Sequence, residues 1–390
     1  MKKLFVVLSL ALFSMGAYAQ DAQQVAVDAA QAINEAPAAA KVEKPSNWTN
    51  SLKTNINVGQ TGLSNWAAGG DNTVSLAAFV DGNANWKKGD MFWNNRLQLD
   101  YGFLYASSKP LLQKSTDRIY LESKWGYKAP STKHLYFSAN YDFKSQFSTG
   151  YDYKTPAVPA TYADGTPVPS GTKLDQLETK HQRQLWRDAR VLKSNFLAPA
   201  YTNLALGIDY VPTKWLSLNF APLTGGYVIV KDADLRKSYS MKPKKNTTAE
   251  MLADAEAKLA AAATPEEVKA ATWNLGNLYR AAKFEFGAQL KADAKVNIND
   301  RFSYSTQVVV FVNYLDLKEE DYCPRFNWDN RIDWKLAKYF SLTLTTNMIY
   351  DNQIMITNEK DIEQYPEGKA RVQFKESIAF GFTYTIASKK

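Results

Sequence analysis

Two histidines, one cysteine and one acidic cluster are the residues of this 390-residue chain whose types could do covalent or metal chemistry. A hydrolytic centre needs a histidine held between a nucleophile and an orienting carboxylate or amide. His134 stands at the start of an alternating apolar run and His181 in a long polar connection, neither with an identifiable base or nucleophile beside it. Asp316, Glu319, Glu320 and Asp321 could attract calcium, but they lack the EF-hand spacing and its glycine. Cys323 is alone, so it has no internal disulfide partner and reads as a buried or interior-facing thiol. There is no glycine-rich phosphate loop between a strand and a helix, and no Cys/His zinc pattern. The expectation is no catalytic residue, no cofactor and no metal.

What the chain does carry is charge set against apolarity at a period of two. In the last run, 376–386, Ile378, Phe380, Phe382, Tyr384 and Ile386 fall on one side, and Ser377, Ala379, Gly381, Thr383 and Thr385 on the other. Such a strand shows its two faces to different surroundings. A soluble sandwich would turn the large face inward; a transmembrane barrel would turn it to lipid. The same alternation recurs in about twelve segments. In one, Trp93, Leu97, Leu99, Tyr101, Phe103 and Tyr105 oppose Asn94, Arg96, Gln98 and Asp100; in another, Phe326, Trp328, Ile332 and Trp334 oppose Asn327, Asp329, Arg331 and Asp333. Most are long enough to cross a membrane as tilted strands, which takes roughly 9 to 11 residues.

The remaining features favour the membrane. Met1, Lys2 and Lys3, an apolar run from Leu4 to Met15, and Ala17-Tyr18-Ala19 form a secretory signal peptide over residues 1–19. Residues 20–47, rich in Ala and Gln, read as a flexible periplasmic leader, and 48–390 as the barrel. Short links at 87–90, 129–133, 211–214, 299–301 and 337–339 alternate with long ones at 61–71, 106–116, 149–200, 231–283, 315–325 and 352–370. Sorting of turns to one end and loops to the other is the asymmetry of outer-membrane barrels. The 22 Tyr, 19 Phe and 10 Trp suit strands and interfacial belts. The net charge of +8 comes without a compact Lys/Arg block, so it does not predict nucleic-acid binding. The fold expected is all-β: an antiparallel up-and-down transmembrane barrel of about twelve strands in the bacterial outer membrane.

On that phase, Arg96, Asp100, Arg118, Glu122, Lys124, Asp142, Lys144, Lys291, Asp293, Lys295, Asp329, Arg331, Asp333, Arg371 and Lys375 point to the lumen, where mixed signs would pair across it and fill it. Trp93, Tyr101, Phe103, Trp328, Trp334, Phe380, Phe382 and Tyr384 point to lipid. Glu376 breaks the rule, and is reconciled by a place near the outer headgroups or by a register shift. A short repeat pairs Trp93-Asn94-Asn95-Arg96-Leu97 with Trp328-Asp329-Asn330-Arg331-Ile332, through half-barrel duplication or through convergence on one strand pattern. Within 231–283 a helical hairpin is expected over 248–262 and 265–282, with Thr247/Glu250 and Thr264/Glu267 as capping boxes and Val268, Ala271, Leu275 and Leu278 on one side. In 149–200, Lys180, His181, Arg183, Arg187, Arg190 and Lys193 around Trp186 could meet lipopolysaccharide phosphates.

Several motifs carry a family likeness. Ser64-Asn65-Trp66 with Gly69-Gly70, Lys88-Gly89-Asp90 with Trp93-Asn94-Asn95-Arg96-Leu97, Asp117-Arg118 and Lys124-Trp125-Gly126-Tyr127-Lys128 resemble an uncharacterised family of Bacteroidota outer-membrane barrels, known as a domain of unknown function. The likeness is densest over 48–147 and returns at 326–334 and in the last strand. It implies a barrel in the outer membrane and brings no catalytic residue or substrate. Insert 231–283 lies outside it. The functional expectation is a non-enzymatic cell-envelope barrel, structural or docking a protein partner through extracellular loops. The alternatives are a porin-like passive channel and, last, an outer-membrane hydrolase.

Overall fold

The computed structural model describes residues 47–61, 73–162, 165–318, 322–352, 354–356, 363–365 and 368–387. The signal peptide, almost all of the leader, the Ser64 to Gly70 motifs, and Glu319, Glu320 and Asp321 lie outside them. Twelve strands run in order: β1 (Trp48–Thr61), β2 (Thr73–Lys88), β3 (Met91–Ala106), β4 (Lys109–Lys128), β5 (Leu135–Ser145), β6 (Ala200–Thr213), β7 (Leu216–Ile229), β8 (Ala282–Asn297), β9 (Phe302–Asn313), β10 (Arg325–Lys335), β11 (Phe340–Tyr350) and β12 (Gln373–Ala387). Each pairs antiparallel with its neighbour in sequence, and β12 closes on β1 through Ser51↔Ala387 to Asn57↔Gly381. This is a closed up-and-down barrel, in which every strand has a neighbour on both sides and none is an edge strand. No helix among the described residues is long and apolar enough to cross a membrane.

Which face looks inward follows from the register. Trp86↔Trp93↔Trp125 and Val80↔Leu99↔Ile119 share one side, and Asp81↔Gln98↔Tyr120 the other. Gln98, Tyr120, Asn140 and Lys291 are buried, whereas Trp93, Leu121, Phe137, Leu290 and Phe380 are exposed. The large apolar side is therefore outside and the polar side inside, the reverse of a sandwich.

Connections are short at one end of the barrel, with β2 and β3 separated only by Gly89 and Asp90 and β6 and β7 only by Lys214 and Trp215. At the other end one expectation changes. The link expected over 106–116 is a tight turn at Ser107 and Ser108, because the β3–β4 hairpin runs on past the barrel. Register shifts at Gly102/Phe103 and Tyr105/Ala106 bend that extension, and Trp186 of helix α1 (Thr179–Asp188) is buried against it, with Arg183 Nε donating to the Pro110 carbonyl at 3.2 Å. The long link 149–200 also forms a ribbon of Gly150–Tyr153 with Arg190–Ser194.

Insert 231–283 holds helices α2 (Ala233–Arg236), α3 (Ala249–Ala261) and α4 (Pro265–Asn277). The Thr264/Glu267 box is formed, with Pro265 at the first helical position. At α3 the cap is Thr248, accepting from the Met251 amide, and not Thr247, whose hydroxyl donates to the Leu278 carbonyl. Two backbone N–H groups, of Ala263 and Thr264, hold the Glu267 carboxyl below its ordinary range. Its contribution to the cap is present above the unfolded pKa and is lost as pH falls through the lower folded value. Removing the hydroxyl by Thr264→Ala should cost the hairpin about 1 kcal/mol; hydrogen exchange at the Glu267 and Val268 amides would show it, and unchanged protection would refute it.

Of the side expected to pack, Leu275 is buried while Val268 is exposed. α4 packs on α2 as well as on α3, and Gly276 lies so close to the Ala233 carbonyl that a Cβ would collide with backbone. A small core of Ala198, Val228, Val230, Leu235 and Met241, flanked by Tyr201, Tyr239 and Tyr279, seats the insert on the extended β6–β7 wall. The described residues of segments 149–200 and 231–283 thus form regular structure with its own apolar contacts.

Candidate functional site

The interior of the barrel is where this sequence concentrates charge, and the structure brings most of the interior charges expected there into direct contact. Arg96 grips Asp81 with both Nε (3.0 Å) and Nη2 (2.7 Å). Arg331 does the same to Asp333 at 2.9 and 3.0 Å, and Lys53 adds a third bond to that carboxylate at 2.9 Å. Lys291 meets Glu122 at 2.5 Å and lies 3.7 Å from Asp293, which accepts from Gln307 at 2.6 Å. Lys124 meets Asp209 at 2.8 Å. Asp142 accepts from Asn203 at 2.9 Å, and Asp329 from Asn347 at 2.5 Å and Asn327 at 2.9 Å.

The other expected interior charges are placed differently. Arg118 lies over the Tyr120 ring at 5.0 Å, while Asp100, Lys144 and Lys295 form no direct ion pair among the described residues. Lys375 opposes Asn347. Arg371 falls in the approach to β12 and donates to the Ile356 carbonyl at 3.3 Å. The expected interior set left out Lys53 and Glu285, although they fall on the polar faces of their strands, and also Asp81, Asp209 and Arg325. Glu285 and Arg325 join at 2.6 Å near the loop end, with Lys283 at 3.2 Å. The alternation was available at each, but an isolated charge in a long strand carries no sign of its partner.

Two contacts span the barrel rather than running along its wall. Lys291 on β8 and Glu122 on β4 are four strands apart, and so are Arg331 on β10 and Phe79 on β2, whose ring lies 4.6 Å from the guanidinium carbon. In a circular twelve-stranded barrel, walls four strands apart stand about 20 Å from each other at the Cα atoms. A lysine and a glutamate cannot reach that far together. The section is therefore flattened, with β3 and β9 as the facing walls between the two parallel spans. A shorter reach, Asn219 to Ser138 at 3.1 Å, joins β7 to β5, two strands apart. The Lys291 side chain is 6% exposed and that of Glu122 14%. Taking both ions out of water costs several kcal/mol each, offset only by close pairing of this kind.

The outer face is apolar, with Trp334, Phe220, Leu290, Phe374 and Phe380 all exposed. Tyr101 and Phe103 pack edge to face at 5.0 Å, and Phe382 stacks on Tyr339 and Phe340 stacks on Phe380. The Trp-x-Asn repeat has a physical basis on this face. An indole N–H among apolar groups needs an acceptor; Trp93 finds Ser123 and Trp328 finds Thr306, each at 2.9 Å. Asn95 accepts from Ser123 at 2.8 Å, and Asn330 joins Tyr304 at 2.7 Å and Thr346 at 3.2 Å. Glu376 opposes Thr346 in an unshifted register, so it is on the outer face, exposed and near the loop end of β12.

The groups considered for catalysis are occupied otherwise. His134 Nδ1 lies 3.0 Å from the Val211 carbonyl, and His181 stacks on Tyr162 at 4.0 Å, 3.8 Å from Glu178. Asp316 is buried and accepts from Asn313. Of the loop cations, Arg183 is bound to a carbonyl, Arg190 lies over Tyr151 at 4.0 Å and Lys193 pairs with Asp152 at 3.0 Å.

The geometry defines a closed, inside-polar and outside-apolar antiparallel barrel. Residues 58–151 match the model of a family described as Protein of unknown function (DUF3078), on the stretch where the sequence motifs are densest. No curated protein matches the chain. Among solved structures it is similar to the translocator domain of autotransporter NalP from Neisseria meningitidis, with 9% identity, coverage of 93% of this chain and 97% of that one, and a TM-score of 0.34. It is also similar to an outer membrane channel from Pseudomonas putida F1 (8% identity, 89% and 98% coverage, TM-score 0.32) and to the NanC porin (6%, 88% and 99%, 0.30).

Proposed function

We propose that this protein is a non-enzymatic outer-membrane barrel with a closed interior, and that it acts through the ordered surface built by its long loops. The membrane reading rests on the outward apolar face: a soluble protein would leave that wall in water, whereas a closed barrel satisfies every backbone group within hydrocarbon. The export signal expected over residues 1–19 agrees with that compartment. The observation that carries the closed interior is the Lys291–Glu122 contact, buried and reaching between walls four strands apart.

The loop surface supports a docking role for a protein partner. The insert is pinned to the β6–β7 wall by its core, to the ribbon by Tyr239 donating to the Lys193 carbonyl at 3.0 Å, and toward the β9–β10 link by Lys242, 3.8 Å from Asp316. Trp273 on α4 remains exposed. A rigid scaffold presenting loops is where recognition tends to sit. Lipopolysaccharide phosphates are the neighbouring anions that Lys180 and Arg187 on α1 would meet.

Conductance of the purified protein in planar bilayers tests the reading. The native chain should show no steady current, and Lys291→Ala with Glu122→Ala and Arg331→Ala should open one. A steady pore in the native chain would overturn the closed interior in favour of a passive channel.

A further inference from the structure

At the short-turn rim, the wall has a notch. Pairing of β11 with β12 ends at Phe340↔Phe382, while β12 continues to Ala387 with β1 as its partner. Residues 383–387 therefore have no strand on their β11 side among the described residues. The turn between β10 and β11 stands across the gap, and a cavity of about 290 Å³ opens between them, lined by Lys335, Lys338, Tyr339, Phe340, Ser341 and Tyr384.

Its chemistry is one-sided. Lys335 and Lys338 are exposed and form no ion pair among the described residues, and no carboxylate lines the cavity. The nearest acid along the chain, Asp333, is already bound by Lys53 and Arg331. Lys338 Nζ sits 5.0 Å from the Tyr339 ring, so its charge is held at an aromatic wall. From there the aromatics continue down the outer face. Tyr339 stacks on Phe382 at 5.4 Å, and Phe340 on Phe380 at 5.9 Å. Uncompensated ammonium groups favour an anion. An apolar track leading from them favours an anion with hydrocarbon attached.

We propose that this notch binds the phosphodiester of a phospholipid in the periplasmic leaflet, with Lys335 and Lys338 on the phosphate and the acyl chains along Phe340 and Phe380. The inference rests on the outer-membrane reading and adds a specific lipid site to it. Free inorganic phosphate shares the charge but has no use for the aromatic track.

The test is native mass spectrometry of the full mature chain, freed of lipid in a neutral detergent and titrated with phosphatidylglycerol. Lys335→Gln with Lys338→Gln should raise the apparent Kd about tenfold, with the folded barrel verified by circular dichroism. A 10-fold excess of inorganic phosphate should leave the lipid bound; displacement by it would show that the site takes phosphate itself and would overturn the lipid assignment. Equal retention by native and variant chains would also overturn it, while leaving the membrane barrel intact. A mature chain that stays soluble without detergent would instead remove the membrane reading on which the site depends.

Discussion

Lys291→Ala is expected to lower the stability of the refolded barrel by about 3–5 kcal/mol, the scale for removing one partner of a buried pair. The loss comes less from the missing bond than from what is left behind. Glu122 remains inside without its cation, and Lys291 is the only partner drawn to it at hydrogen-bond distance among the described residues. The double variant with Glu122→Ala should recover much of the loss, because no orphaned charge remains. Urea unfolding in lipid vesicles, compared across native, single and double variants, reads all three. A single variant within about 0.5 kcal/mol of native, the range of an ordinary surface change, would show that the pair is solvated and that the interior is open to water.

Leu290→Arg is the second large effect, expected to cost about 2–4 kcal/mol when measured in the same vesicles. Leu290 lies in the middle of β8 on the outer wall and is 51% exposed. Its neighbour Lys291 carries a charge natively, one residue away and on the opposite face. The contrast is the sharpest consequence of a period of two: the same cation is required at 291 and excluded at 290. If arginine at 290 proved neutral in lipid, the outer wall would not face acyl chains. The lumen and lipid assignments would then fall together.

Much of this architecture was legible because each strand's faces differ so strongly. The run from Trp93 to Tyr105 could be phased by itself, and the Thr264-Pro265-Glu267 start of α4 names its own cap. Legibility failed where a residue's role depends on a distant one. Lys53 pairs with Asp333 across 280 positions, and nothing local marks either as the other's partner. Ser107 to Leu112 looked like loop because serines and a proline interrupt it, yet packing against α1 holds it in an extended hairpin. Glu376 was legible as an exception, and the register shows that the exception is real.

By itself, then, the chain determined the number of strands, their faces and the expectation of a closed wall, since alternation is a local property of the backbone that each segment expresses alone. Only the tertiary structure decided which charges meet, because partnership depends on barrel closure and on a flattened section that brings β4 to β8 and β2 to β10. Local sequence sets the direction in which a side chain points. What it touches is set by the wall on the far side.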